Sequence, residues 1–196
     1  MPAKDKTPVP EVSQIKVTLL GSDPEIWRRL LVPVSITLAA LHNVLQIAMG
    51  WDNSHLHEFR KGKQCYGMPN PDEVFYNVPR TIDERKVRLD EVLLRVGSNF
   101  VYTYDMGDSW EHSVVVEKRL PADPDVVCPM CTGGERACPP EDCGGVGGFY
   151  RVLEAIQNPE NAEAKELLEW VGEGYDPEAF SVEDVNRALQ PRRRKK

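Results

Sequence analysis

Residues 15–50 read IKVTLLGSDPEIWRRLLVPVSITLAALHNVLQIAMG, and the periodicities in this stretch decide the fold class. Ile15, Val17 and Leu19 recur at every second position, so one face of an extended segment is apolar. Gly21-Ser22-Asp23-Pro24 is a turn cluster. Ile26, Arg28, Leu30 and Val32 then alternate with Trp27, Arg29 and Leu31 as far as Pro33, which predicts a hairpin. Thr37 suits an N-cap, Leu38, Leu41, Leu45 and Ala48 return at helical spacing, and Gly50 suits a C-terminal stop. A right-handed return would lay this helix across the hairpin, as in a β-grasp arrangement.

Beyond this unit, strand-like runs fall near 55–60, 64–67 and 86–90, with Pro69 to Asp83 reading as a loop. Phe100 to Tyr104 and the valine-rich Glu111 to Glu117 flank the turn at Gly107-Asp108, a second hairpin. Residues 121–148 are rich in Pro, Gly and Cys and read as loop. Phe149, Val152, Leu153 and Ile156 share one helical face, Pro159 interrupts, and Ala164, Leu167, Leu168 and Val171 share another. Asp176-Pro177, and Ser181 with Asp184 three residues on, are start signals for short final helices. The chain is β-rich first and helical last, which predicts an α+β fold with a β-grasp-like core. The expected organisation is a leader over 1–11, one domain over 12–189 and a basic tail over 190–196. Within the domain lie a β-rich core (12–120), a cysteine loop (121–148) and a helical part (149–189).

The formal charge is −7. Setting aside the five basic residues 192–196 leaves 19 Lys and Arg against 31 Asp and Glu, so the body carries −12. Such a body repels phosphate backbones, so nucleic acid is a partner only through the basic tail. No apolar run is long enough to span a membrane, and the first residues lack the apolar stretch of a signal peptide. The expected location is the cytoplasm, where cysteines stay reduced. Cys65 stands alone and is expected to be a small buried hydrophobe, whereas the other four of the five cysteines cluster.

Several segments, in order along nearly the whole chain, resemble the plasmid pRiA4b ORF-3-like family. They are Ile26-Trp27-Arg28-Arg29, Met49-Gly50-Trp51, Ser54-His55-Leu56-His57-Glu58-Phe59 and Tyr104-Asp105-Met106-Gly107-Asp108-Ser109-Trp110-Glu111-His112. Ala137-Cys138-Pro139-Pro140-Glu141-Asp142 with Gly144-Gly145, and Glu169-Trp170, complete the set. The resemblance implies a compact α+β domain of undefined biochemical role, often labelled a passenger of a mobile insertion element. It also implies that Cys131 and Cys138 are regular family positions while Cys128 and Cys143 vary, so a four-cysteine site would be a subgroup feature. A resolvase reading has no support, because no serine nucleophile sits among clustered arginines.

Three constellations could carry chemistry. Cys128-x2-Cys131-x6-Cys138-x4-Cys143 offers four thiolates, the donor set of a closed structural zinc site. The alternative is four reduced, partly buried cysteines. His55-x-His57 would place two imidazoles on one strand face, with His112, Asp105, Asp108 and Glu111 supplied by the second hairpin. That set could bind a second metal or a ligand and activate water; the alternative is that these groups buttress turns. Glu141 and Asp142, in a Pro/Gly loop, could orient a ligand or make a structural turn. Arg28 and Arg29 should point to opposite strand faces, and His42 should be a hydrogen-bonded histidine at the core edge. The leading expectation is a binding module for an unknown protein or small ligand, with a structural zinc. A metal-dependent hydrolase using His55, His57 and His112 is the first alternative. A nucleic-acid accessory protein of a mobile element is the second.

Overall fold

The structure is a computed structural model that describes residues 11–70, 80–172 and 174–190. Strands β1 (Glu11–Leu19) and β2 (Trp27–Pro33) form the first hairpin, antiparallel, with Ile15 opposite Leu30. Helix α1 (Leu38–Met49) follows. Thr37 Oγ1 accepts from the Ala40 N–H at 3.2 Å, and Gly50 closes the helix with φ +100° and a 2.9 Å bond to the Gln46 carbonyl. That positive φ is open to glycine at no steric cost. Then come β3 (His57–Lys61), β4 (Gln64–Gly67) and the short β5 (Ile82–Asp83). A 3-10 turn (Glu84–Lys86) and α2 (Leu89–Val92) lead to the second hairpin, β6 (Asn99–Tyr104) and β7 (Trp110–Pro121). The chain ends with β8 (Met130–Glu135), α3 (Gly145–Gln157), α4 (Ala162–Val171) and α5 (Val182–Leu189).

The strands make one eight-stranded sheet in the order β5-β4-β3-β6-β7-β1-β2-β8. Among the described residues only β4 and β5 pair in parallel. The fold is mixed α+β, and this sheet is larger than a β-grasp label implies. The two hairpins are joined edge to edge through β1 and β7, where Ile15 faces Val116. Ile15, Val17 and Leu19 share one buried cluster with Leu38, Leu41 and Leu45, all at most 1% exposed. Burying one such leucine contributes roughly 1.5–3 kcal/mol. Among the described residues no helix is long and apolar enough to cross a membrane.

Four expectations need correction. The 86–90 run is turn and helix start, held to α1 by a bridge between Thr37 and Arg88, and the fifth strand is Ile82–Asp83 instead. The segment 121–148 is not all loop, because Met130–Glu135 adds β8 to the β2 edge. Its glycines permit that approach: a Cβ on Gly134 would stand 2.5 Å from Phe180 Cζ and 2.8 Å from the Trp27 carbonyl oxygen. Asp176-Pro177 opens a turn, whereas Ser181 caps α5 by accepting from the Asp184 N–H at 3.1 Å. Cys65 is only half-buried, its thiol donating to Glu58 Oε2 at 3.1 Å. The leader and basic tail lie outside the described residues, except Glu11, which begins β1, and Gln190.

Candidate metal centre

The loop between α1 and β3 carries His55, and three aromatic anchors set its path. Trp51, 7% exposed, donates its Nε1–H to the Pro139 carbonyl at 3.1 Å and lies 4.9 Å from the Tyr104 ring. The Tyr104 hydroxyl accepts from the Ser54 N–H at 3.0 Å and donates to Glu141 Oε1 at 3.1 Å. The Asp52 N–H also binds Glu141 Oε1, at 2.9 Å. Beneath the loop, Tyr102 and His42 hold Asn53: the Tyr102 hydroxyl lies 2.8 Å from His42 Nδ1, and His42 Nε2 lies 2.7 Å from Asn53 Oδ1. His42 is therefore the hydrogen-bonded histidine that its place on α1 suggests.

Asp105 ends β6. Its N–H bonds the Leu56 carbonyl at 2.9 Å, and its Oδ1 accepts from the Gly107 N–H at 2.8 Å, which leaves Oδ2 for His55. Asp142 reaches the same place from the loop before α3. Asp108 fixes that loop, its Oδ2 accepting from the Gly144 N–H at 3.0 Å. Asn53, Asp105 and Asp142 all adopt left-handed backbone, with φ of 59°, 57° and 55°. Asn and Asp tolerate this region best among residues with a Cβ, and such conformations cluster at functional sites.

At the centre, His55 Nε2 stands 3.0 Å from Asp142 Oδ1, 3.7 Å from Asp105 Oδ2 and 3.9 Å from Glu141 Oε2. Even the nearest oxygen lies off the ring N–H direction, so this buried nitrogen has no hydrogen-bond partner. Ligand atoms of His55, Asp105 and Asp142 lie mutually within 4.8 Å, the span available to donors about 2.0–2.5 Å from one ion. Among the described residues no other group of three or more His, Cys, Asp or Glu meets that criterion.

The other residues singled out in the sequence disperse. His55 precedes β3, which starts at His57, so strand alternation does not put the two on one face. His57 instead donates to Glu84 Oε2 at 2.8 Å. His112 is fully buried on β7, its Nδ1–H donating to the Tyr102 carbonyl at 3.2 Å, while the Glu111 side chain is exposed. The four clustered cysteines form no such group either. Cys131 and Cys143 are buried, Cys128 and Cys138 half-buried. Asn186 clamps the Cys131 backbone by accepting its N–H at 2.7 Å and donating to its carbonyl at 2.9 Å. Burial pushes the Cys143 thiol up to about 12 and the Cys138 thiol well above its usual value. The two arginines part as expected. Arg29 bonds Glu117 at 2.7 Å and 3.1 Å, and Arg28 turns inward.

The model of the plasmid pRiA4b ORF-3-like proteins matches residues 11–184. The chain belongs to the plasmid pRiA4b ORF-3-like family. An uncharacterised Sinorhizobium fredii protein, y4hQ, is 42% identical over 183 residues, covering 92% of each chain. The crystal structure of MM3350, a protein of unknown function from Methanosarcina mazei Go1, matches with a TM-score of 0.81 at 36% identity. That match covers 92% of this chain and 99% of the other. Several of the segments that carry the family resemblance are gathered by the fold. Trp51, Ser54-His55, Tyr104-Asp105 and Pro139 to Asp142 come from four separate stretches and meet around one imidazole. Reading the sequence singles out His55 and Asp105 in one constellation and the Glu141-Asp142 pair in another. What it misses is their convergence, and the part played by Tyr104 and Trp51.

Proposed function

We propose that this protein is a divalent-cation-dependent binding module, with the ion held by His55, Asp105 and Asp142 and with Glu141 beside it. One observation carries the reading: a buried imidazole nitrogen without a hydrogen-bond partner, faced by oxygens of three carboxylates. Crowding these atoms is repulsive unless His55 is protonated or a cation is shared among them, and a shared cation also occupies the nitrogen that lacks a hydrogen-bond partner. A mixed nitrogen and oxygen donor set suits zinc, manganese or iron. Three protein donors leave coordination positions open, and the Asp142 side chain, 66% exposed, leaves one side facing solvent. An ion held there can take a ligand atom from outside. It can also take water, which keeps metal-activated hydrolysis as the second reading.

Calorimetric titration of the full chain with Mn²⁺ and Zn²⁺ tests this. The expected result is one ion per chain, with affinity lowered about tenfold or more in His55→Ala and in Asp105→Asn. Binding unchanged in both variants would move the ion elsewhere and end the proposal.

A further inference from the structure

Beside the proposed ion lies a cavity of about 450 Å³, within the range of small-molecule sites. Its lining includes Trp51, Tyr175, Phe180 and Cys138, together with Arg28 and Glu141. Glu141 belongs to both places, for its Oε2 is 3.9 Å from His55 Nε2. The polar ends of two of the rings are engaged. Trp51 Nε1–H bonds the Pro139 carbonyl, and the Tyr175 hydroxyl bonds the Cys138 carbonyl at 3.0 Å. What these rings offer an occupant is therefore an apolar face. Phe180, in turn, lies over the Arg28 guanidinium at 4.2 Å.

Arg28 supplies the charge. It is 2% exposed and bonds only backbone carbonyls, those of Ala48, Trp27, Glu135 and Arg136. Among the described residues it has no carboxylate partner, so its buried positive charge is met by carbonyl dipoles and the Phe180 ring alone. Its N–H groups are occupied, so it acts as a field rather than a fork. At the other end Asp105, Glu141 and Asp142 repel an anion until a cation is bound among them. The two ends together select one kind of occupant.

Resting on the cation reading above, we infer that the ligand is a small organic acid with an aromatic or branched apolar body. Its carboxylate completes the coordination of the ion at His55, Asp105 and Asp142, and its body lies along Trp51, Tyr175 and Phe180. Binding of the acid is coupled to the ion, because without the ion the acidic edge opposes it. A polyphosphate does not fit, since the Arg28 N–H groups are engaged by backbone carbonyls and the acidic side chains of Glu141 and Asp142 border the site.

The experiment titrates acetate and 3-phenylpropionate into the full chain, with and without saturating Mn²⁺, by calorimetry and ligand-observed NMR. With Mn²⁺, 3-phenylpropionate should bind at least about tenfold tighter than acetate, and without Mn²⁺ neither should bind measurably. Phe180→Leu, shown folded by its melting curve, should weaken 3-phenylpropionate severalfold while leaving Mn²⁺ and acetate unchanged. Mn²⁺ binding with equal affinity for the two acids would overturn the ligand class and leave the cation reading standing. Binding of 3-phenylpropionate that ignores Mn²⁺ would overturn the coupling. Absence of Mn²⁺ binding would remove the cation reading and this inference with it.

Discussion

The imidazole rings of His42 and His57 lie face to face, with centroids 3.4 Å apart and planes 3° from parallel. The partners fix the His42 tautomer. Its Nε2–H donates to Asn53 Oδ1, so Nδ1 accepts from the Tyr102 hydroxyl, which itself accepts from Gln46 Nε2 at 2.9 Å. Every proton in this relay is assigned, and a second proton on His42 would break it.

Acid should therefore destabilise the fold earlier than carboxylate protonation alone predicts. Burial, aided by the neighbouring His57, lowers His42 to about 4, and burial lowers His112 to about 4. Both folded values lie below the ordinary 6.5, so the unfolded chain binds more protons between the two. The stabilisation is complete above 6.5 and is lost as pH falls toward 4, at up to about 1.4 kcal/mol per pH unit for each histidine. Urea midpoints measured from pH 7.5 to 4.5 check the slope. His112→Gln should flatten it, and a midpoint independent of pH above 5 would refute the assignment.

Leu41→Ala should cost roughly 2–5 kcal/mol in urea unfolding, because Leu41 is 0% exposed between helix and sheet. Leu94→Ala, at a position 73% exposed, should change stability by less than about 0.5 kcal/mol. Similar midpoints for the two variants would contradict the packing.

A paired glycine test probes the loop that delivers Asp142. A Cβ on Gly148 would sit 1.7 Å from the Cys143 carbonyl oxygen, so Gly148→Ala must displace that backbone. It should lower both melting temperature and Mn²⁺ affinity. A Cβ on Gly147 meets nothing within 4 Å, so Gly147→Ala should be neutral or stabilising by up to about 1 kcal/mol. Unchanged Mn²⁺ affinity in folded Gly148→Ala would separate the loop from the ion.

The segment 121–148 should keep its protease resistance in EDTA. It is held by the β2–β8 ladder and by Asn186 on Cys131. Asn186→Ala should open it to trypsin, and Cys131→Ser should not. Stoichiometric zinc in the purified protein that Cys131→Ser removes would reverse this expectation.

Both hairpins and α1 are legible in the sequence because their apolar periods are long and their caps ordinary: Thr37, Gly50 and Ser181 all behave as their positions suggest. β8 is not, since Met130-Cys131-Thr132-Gly133-Gly134-Glu135 has no alternation and forms only where the β2 edge accepts it. The centre is legible in pieces. His55 and the Glu141-Asp142 pair stand far apart in sequence, and no local period says that a tyrosine at the end of β6 will bring them together. The cysteines are the converse case. Their proximity in sequence resembles a donor set, but Cys131 lies on β8 and Cys143 in the entry to α3, and no three of the sulfurs share one ion's span.

β1 lies inside the sheet, yet one of its two partners, β7, is about a hundred residues away along the chain. At ribosomal rates of roughly 5–20 residues per second, the nascent β1–β2–α1 unit waits on the order of ten seconds for that partner. Throughout the wait it presents an unpaired edge that carries Ile15, Val17 and Leu19. Assembly of this molecule is thus governed by a long-range closure late in synthesis, and the interval before it is when the chain depends most on being shielded from its neighbours.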